Sequence, residues 1–217
     1  MSLALLRRLL RQPHQLQWQR MRLPYPLDDE VTALLPQLPS LTAISGTARC
    51  GDFGWLRCLP NLTDVDLAFS HREDVADRAA ALVAGLQHCT NIEVLALSGS
   101  SVFLQLSGCT DLTAAHLADL LPRLPRLRGL SLDFLGIDSL AFLAQPPMTS
   151  QLSILCLRSC SQLPPTELRR IHSLRGLEYL NLSDSFSAPL DSAALALLEP
   201  PSAVLPRLDD FWYSAAD

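Results

Sequence analysis

The sequence predicts an α/β fold, a curved solenoid in which a right-handed βα superhelix lays a parallel sheet along its concave side. Three observations predict it. The phrase Leu-Leu-Pro-Gln-Leu-Pro-Ser-Leu at residues 34–41 returns as Leu-Leu-Pro-Arg-Leu-Pro-Arg-Leu at 120–127, and a chain that repeats itself is an array of one supersecondary unit. A spaced triplet, apolar-x-x-apolar-x-apolar, recurs along the whole length. Between triplets lie segments rich in helix formers, which supply the crossovers that parallel neighbours need.

The triplets are Leu41/Ile44/Gly46, Leu62/Val65/Leu67, Ile92/Leu95/Leu97, Leu127/Leu130/Leu132, Leu152/Leu155/Leu157, Leu177/Leu180/Leu182 and Leu208/Phe211/Tyr213. A weaker unit, Trp18/Met21/Leu23, precedes them, and Leu16 leaves its register open. Side chains alternate along a strand, so the last two positions of each triplet share a buried face. The first position sits at the bend where the chain enters the strand. About seven or eight such units make one domain over residues 1–217, with residues 1–15 read as a helical lead-in.

The crossovers follow in order. Residues 72–87 place Val75, Ala79, Leu82, Val83 and Leu86 at helical spacing. Residues 113–121 offer Thr113 as N-cap and Leu117, Leu120 and Leu121 as the buried stripe. Residues 165–174 start at Pro165 or Thr166 and bury Leu168, Ile171 and Leu174, whereas residues 191–198 are capped by Asp191 or Ser192 and bury Leu195, Leu197 and Leu198. Residues 138–144 suffice for a turn or two. The step from Ile92 to Leu127 is the longest, and residues 100–108 read as an insertion looping out on one face. The alternation of Val102, Leu104 and Leu106, followed by Cys109, competes as the strand of that unit.

These features resemble the leucine-rich repeat superfamily over residues 16–213. The stretches Cys109-Thr-Asp-Leu-Thr-Ala-Ala-His-Leu, Cys89-Thr-Asn-Ile and Leu157-Arg-Ser-Cys-Ser-Gln-Leu are similar to its cysteine-containing, ribonuclease-inhibitor-like subtype. There a cysteine after the strand ties loop backbones together. The resemblance implies that role for Cys160, with Ser70, Ser100 and Ser185 at the equivalent places, where hydroxyls make similar bonds. Such a resemblance is specific for fold and nearly silent on function.

Composition narrows the function classes. A formal charge of −5 argues against a nucleic-acid partner, which calls for a basic face. No run of about 18 uncharged apolar residues exists, so no membrane partner is expected. The six cysteines do not form a small secreted framework and the start lacks a secretory signal, which places the chain in the cytoplasm. The triplets at Asn61 and Asn181 are then chance glycosylation matches. The alternative location is mitochondrial, because Arg7, Arg8, Arg11, Arg20 and Arg22 all precede the first acid, Asp28, as in a cleaved presequence.

No catalytic constellation stands out, and neither a cofactor nor a metal is expected. Cys156, Cys160 and His172 form at most a partial zinc set, short of the four ligands a structural site needs. Cys50 and Cys58 read as small buried hydrophobes, and His14, His71, His88 and His116 as surface or capping residues.

The strand residues outside the triplets point onto the concave face. Acids dominate there: Asp64, Asp66, Glu93, Asp133, Glu178, Asp184, Asp209 and Asp210, against Arg128 and Arg158. Phe69, Phe134, Tyr179 and Trp212 lie among them as candidate anchors, since interface hot spots favour large rings. The expected function is a non-enzymatic protein–protein interaction module, its partner a protein with a basic or mixed patch. The resemblance implies an alternative, the substrate-recognition subunit of a cullin-type ubiquitin ligase, because F-box receptors carry similar cysteine-containing repeats. No F-box is recognised in this sequence. An end-on contact at the C-terminal repeat is also expected, because residues 208–213 have no polar cap after them.

Overall fold

Eight strands hydrogen-bond in sequence order into one parallel sheet. They are β1 (Arg20–Arg22), β2 (Ala43–Ala48), β3 (Asp64–Phe69), β4 (Val94–Gly99), β5 (Gly129–Asp133), β6 (Ile154–Cys156), β7 (Tyr179–Asn181) and β8 (Asp210–Trp212). The computed structural model describes residues 19–22, 27, 29–48, 52–69, 78–99, 112–146, 148–200 and 202–214. Outside them fall the lead-in, Trp18, Leu23, Cys50, Ser70, His71, Val75, the 100–108 stretch and Cys109, and with His14 these expectations have no structural counterpart here. β4 bonds directly to β5, the Leu130 strand.

The register turns the triplets into rows. Met21, Ile44, Val65, Leu95, Leu130, Leu155, Leu180 and Phe211 stand side by side across the sheet. The first seven are buried and Phe211, on the last strand, is half-buried. Pairing of Met21 with Ile44 also selects the Met21 register for the first unit. At the bends Leu41, Leu62, Ile92, Leu127, Leu152, Leu177 and Leu208 are buried as well. There the carbonyls of Gln19, Thr42, Thr63, Glu93, Arg128, Ser153 and Glu178 each accept two N–H groups from the next repeat, at 2.7–3.1 Å. This ladder satisfies the backbone where the chain leaves the crossover, a place that would otherwise bury orphan groups.

Short helices and 3₁₀ turns cover the other face. The helices are α1 (Asp29–Thr32), α2 (Arg78–Leu86), α3 (Ala114–Leu120), α4 (Met148–Gln151), α5 (Leu168–Ile171) and α6 (Ser192–Leu198). The repeated Leu-Leu-Pro phrase becomes a 3₁₀ turn in both copies, Leu35–Gln37 and Leu121–Arg123, with proline in the first turn, where no N–H is needed. Thr113 caps α3 in a capping box with His116, and Asp191 caps α6 through the Ala194 N–H at 2.7 Å. Residues 138–144 yield only the 3₁₀ turn Ala141–Ala144. One expected stripe needs correcting: α6 buries Leu198 and half-buries Leu195, while Leu197 is 41% exposed, off the i, i+3 line.

Side chains stitch the repeats further. Cys160 Sγ donates to the Leu132 carbonyl at 2.8 Å, and Ser185 Oγ does the same to Leu157 one repeat later. Cys89 is also buried but bonds Leu56 O, at 3.4 Å, from a turn rather than from the end of a strand. The buried Glu167 carboxylate accepts the Leu140 N–H at 2.7 Å and the Ser139 hydroxyl at 3.1 Å, with Arg170 Nε at 4.0 Å. Gly85 lets α2 close onto the 3₁₀ turn Gly54–Cys58, since a Cβ there would stand 2.6 Å from the Phe53 carbonyl oxygen. Among the described residues, no helix is long and apolar enough to cross a membrane.

Candidate functional site

The open face of the sheet is built from the alternate residues of each strand. One row runs Arg20, Ala43, Asp64, Val94, Gly129, Ile154, Tyr179, Asp210, and the next Arg22, Ser45, Asp66, Ala96, Ser131, Cys156, Asn181, Trp212. A shorter third row holds Thr47, Ala68, Ser98 and Asp133. The bends contribute Thr63, Glu93, Arg128, Ser153, Glu178 and Asp209 along one margin.

Of the expected binding residues, Asp66, Glu93, Arg128, Arg158, Glu178, Asp209 and Trp212 are exposed, Trp212 at 59%. Asp64, Asp133, Phe134, Tyr179 and Asp184 are half-buried. Phe69 does not belong to the face. It is 1% exposed, because β3 runs for six residues and its alternation carries Phe69 inward with Val65 and Leu67. There its ring meets Phe53 edge-on at 6.4 Å.

Some residues are brought together and others are not. Ser45 Oγ donates to Asp66 at 2.8 Å, and Thr63 Oγ1 to Asp64 at 2.6 Å. The Asp133 carboxylate accepts the Arg158 backbone N–H at 3.0 Å. Burial pushes the Asp133 carboxyl above its ordinary range; Arg158 and the Ser131 hydroxyl pull it back, and the nearby Asp66 charge adds to the rise. Burial also pushes the Cys156 thiol up to about 11, with the Asp133 charge contributing. The Arg158 guanidinium lies over the Phe134 ring, 6.0 Å from its centroid. Asp184 sits apart, bonded to Ser214 Oγ at 3.1 Å.

Phe134, Ser159 and Asp184 occupy equivalent places in three successive repeats and share a left-handed backbone, with φ of 58°, 55° and 56°. Each N–H reaches the next repeat, at Arg158, Ser183 and Ser214 respectively. Aspartate tolerates this bend, whereas phenylalanine is strained in it.

The centre of the face is apolar and shallow. Val94 and Ile154 are 40% and 42% exposed and flank Gly129, whose missing side chain leaves a notch between them. Beside it, Glu93, Pro125, Arg126, Arg128 and Gln151 line a groove of about 360 Å³. Sequence reasoning also missed Arg20 and Arg22, which place two cations on the first strand. Pairing with β2 is what reveals them. Cys156 lies on the open face while Cys160 points to a buried carbonyl, so the partial zinc set does not converge. Among the described residues no group of three or more His, Cys, Asp or Glu is arranged to hold a metal.

An ordered parallel sheet, one covered face and a bend ladder define a leucine-rich repeat solenoid. Solved structures agree at the level of fold. An internalin (inlF) of Listeria monocytogenes matches at 16% identity over 86% of this chain and 51% of its own, with a TM-score of 0.50. Internalin C2 of the same organism matches at 16% identity over 86% of this chain and 76% of its own, also at 0.50. The chain thus spans about half the length of the first of these structures. No family model matches the sequence, and no curated protein matches it.

Proposed function

We propose that this chain is a non-enzymatic protein-interaction module that takes a segment of basic or mixed charge on the open face of its sheet. The observation that supports this reading is the anatomy of that face: exposed Val94 and Ile154 around the Gly129 notch, rimmed by exposed Asp66, Glu93 and Glu178. An apolar centre inside a polar rim is how interfaces are built, the centre supplying affinity and the rim charge supplying steering. Asp64, Arg128, Phe134, Arg158, Tyr179, Asp184, Asp209 and Trp212 extend the surface, and Asp133 holds Arg158 in place. The partner is a protein rather than nucleic acid or membrane, in keeping with the net charge of −5.

The test is co-purification with quantitative mass spectrometry, comparing the wild-type chain with Asp66→Lys, Glu93→Lys and Glu178→Lys combined. All three side chains are exposed, so the fold survives. Asp133 is left alone because its carboxylate bonds the backbone. Proteins lost only from the variant support the reading; retention of every partner by both chains sinks it.

The Cys160 bond to Leu132 O favours a second reading, that the chain is of the cysteine-containing, ribonuclease-inhibitor-like subtype and serves a cullin-type ubiquitin ligase as its substrate-recognition part. Cullin-ligase adaptors in the same purification would support that, and their absence would count against it. A cytoplasmic location fits either role; sequencing the mature N-terminus decides it against the mitochondrial alternative.

A further inference from the structure

A parallel sheet laid down in sequence order has two unlike edges, here β1 and β8 among the described residues. Edge strands offer unpaired backbone groups and are templates for a further strand. Both edges are therefore places where something must be accounted for, and their residues differ in a complementary way.

The eight-strand register says what would meet if β8 were followed by another β1. Asp210 shares a row with Arg20, Phe211 with Met21, and Trp212 with Arg22. One added strand in the same register sets Asp210 beside Arg20, an opposite-charge pair across strands. It sets the Trp212 indole beside the Arg22 guanidinium, a favourable cation–ring contact. Between them Phe211 falls in the row of Met21, which is already buried. Phe211 is the one member of that row left half-buried, while Arg20, Arg22, Asp210 and Trp212 are all exposed.

The backbone agrees. In each earlier repeat the bend carbonyl accepts two N–H groups from the next one, and Glu178 gives this pair of bonds to Asp209 and Asp210. Asp209 holds the same position in the last repeat, with no described repeat after it. At the other edge the N–H groups of Gln19 and Arg20 stand where those of Asp209 and Asp210 stand in β8. Charge and hydrogen-bonding sense thus match between two edges of one molecule, while the exposed apolar surface is that of Phe211 and Trp212 on β8, Met21 being buried already.

We infer that this chain associates head to tail with a second copy of itself, β8 of one molecule adding in parallel to β1 of the next. The inference does not rest on the reading of the open face. The two mating surfaces are different, so the contact is heterologous and can extend to trimers and longer stacks. Each edge strand is only three residues long, which limits affinity, and its charged pairs are solvent-exposed, so salt weakens the contact.

Sedimentation velocity of the full chain over a concentration series, at low and high salt, reads the association. The average mass is expected to rise with concentration and to fall with salt. Arg20→Asp with Arg22→Asp in one chain, and Asp210→Arg with Trp212→Arg in another, should each weaken self-association by at least about tenfold. Mixing the two variants should restore it, because the altered edges complement each other again, and that recovery itself shows that both fold. A chain that stays monomeric at every concentration overturns the proposal and points to another cover for the edges. It is equally overturned if either variant associates like the wild type, which would mean an edge pairs with itself. Failure of the mixture, with both variants folded by circular dichroism, overturns it too.

Discussion

Gly85→Ala is a substitution whose sign the structure decides against ordinary expectation. Inside a helix, replacing glycine by alanine normally stabilises by about 1 kcal/mol. Gly85 lies in α2, where a Cβ would stand 2.6 Å from Phe53 O, 3.0 Å from Leu56 Cδ1 and 3.1 Å from Phe53 Cβ. Leu56 can turn aside, but the Phe53 oxygen is backbone, so the 3₁₀ turn and the helix must separate by roughly half an ångström. Overpacking of this kind costs about 1–3 kcal/mol, and the separation also loosens buried Leu82, Leu86 and Leu56. The net expectation is a loss of up to about 2 kcal/mol after the propensity gain is subtracted. For a chain of this size that lowers the melting temperature by up to about 8 °C. Urea unfolding followed by circular dichroism gives the midpoint, with Ala84→Gly on the same helix as the control for propensity alone. A higher midpoint for Gly85→Ala would refute the argument, because it would mean that the helix does not touch the turn.

Four other outcomes are expected. Glu167→Ala strips the buried Leu140 N–H of its acceptor and should cost about 2 kcal/mol in urea unfolding, whereas Glu167→Gln keeps an acceptor and should cost less; equal losses would contradict the bond. Because burial raises the Asp133 carboxyl, its charge weighs against the fold above the ordinary carboxyl range, and the penalty lifts as pH falls through the raised value. Asp133→Asn should therefore unfold at higher urea than wild type near pH 7, with the gain gone at about pH 3; a gain that persists in acid would have another origin. In alkylation near pH 8, Cys58, which the structure leaves exposed and not buried as the sequence suggested, should label before Cys89, Cys156 and Cys160, whose thiols burial pushes up to about 11, 11 and 12, leaving roughly one in a thousand or fewer ionised. Equal rates for Cys58 and Cys160 by peptide mass spectrometry would sink that order. At the left-handed Phe134, Asn should be more stable than Val by about 1 kcal/mol despite Val being apolar, and the reverse order would deny the bend.

The rows were legible in the sequence because a strand's period of two and a repeat's fixed offset leave little freedom: Ile44, Val65, Leu95, Leu130 and Leu155 could hardly be out of line. Caps at Thr113 and Asp191 were legible because each has a local chemical reason; that the repeated Leu-Leu-Pro phrase forms a 3₁₀ turn emerged only in the structure. Strand length was not. β3 keeps alternating to Phe69 and buries it, whereas β5 stops at Asp133 and turns Phe134 through a left-handed bend toward Arg158. Nothing local separates these two phenylalanines; the packing of Phe53 beneath Phe69 does. The acidic character of the face was visible residue by residue. The cations on β1, the Ser45–Asp66 bond and the desolvation of Asp133 arise only once neighbouring repeats are in register.

The bend ladder has a consequence for how the molecule fails. Each rung joins one repeat to the next and to no other, so the repeats are coupled in series, like links in a chain. Removing an outer link trims one unit and leaves a shorter array intact. Loosening a middle one, at Glu93 or Arg128, leaves two longer arrays held to each other by strand pairing and the shared core alone. Position along the series, as much as burial at the site, sets how far damage spreads.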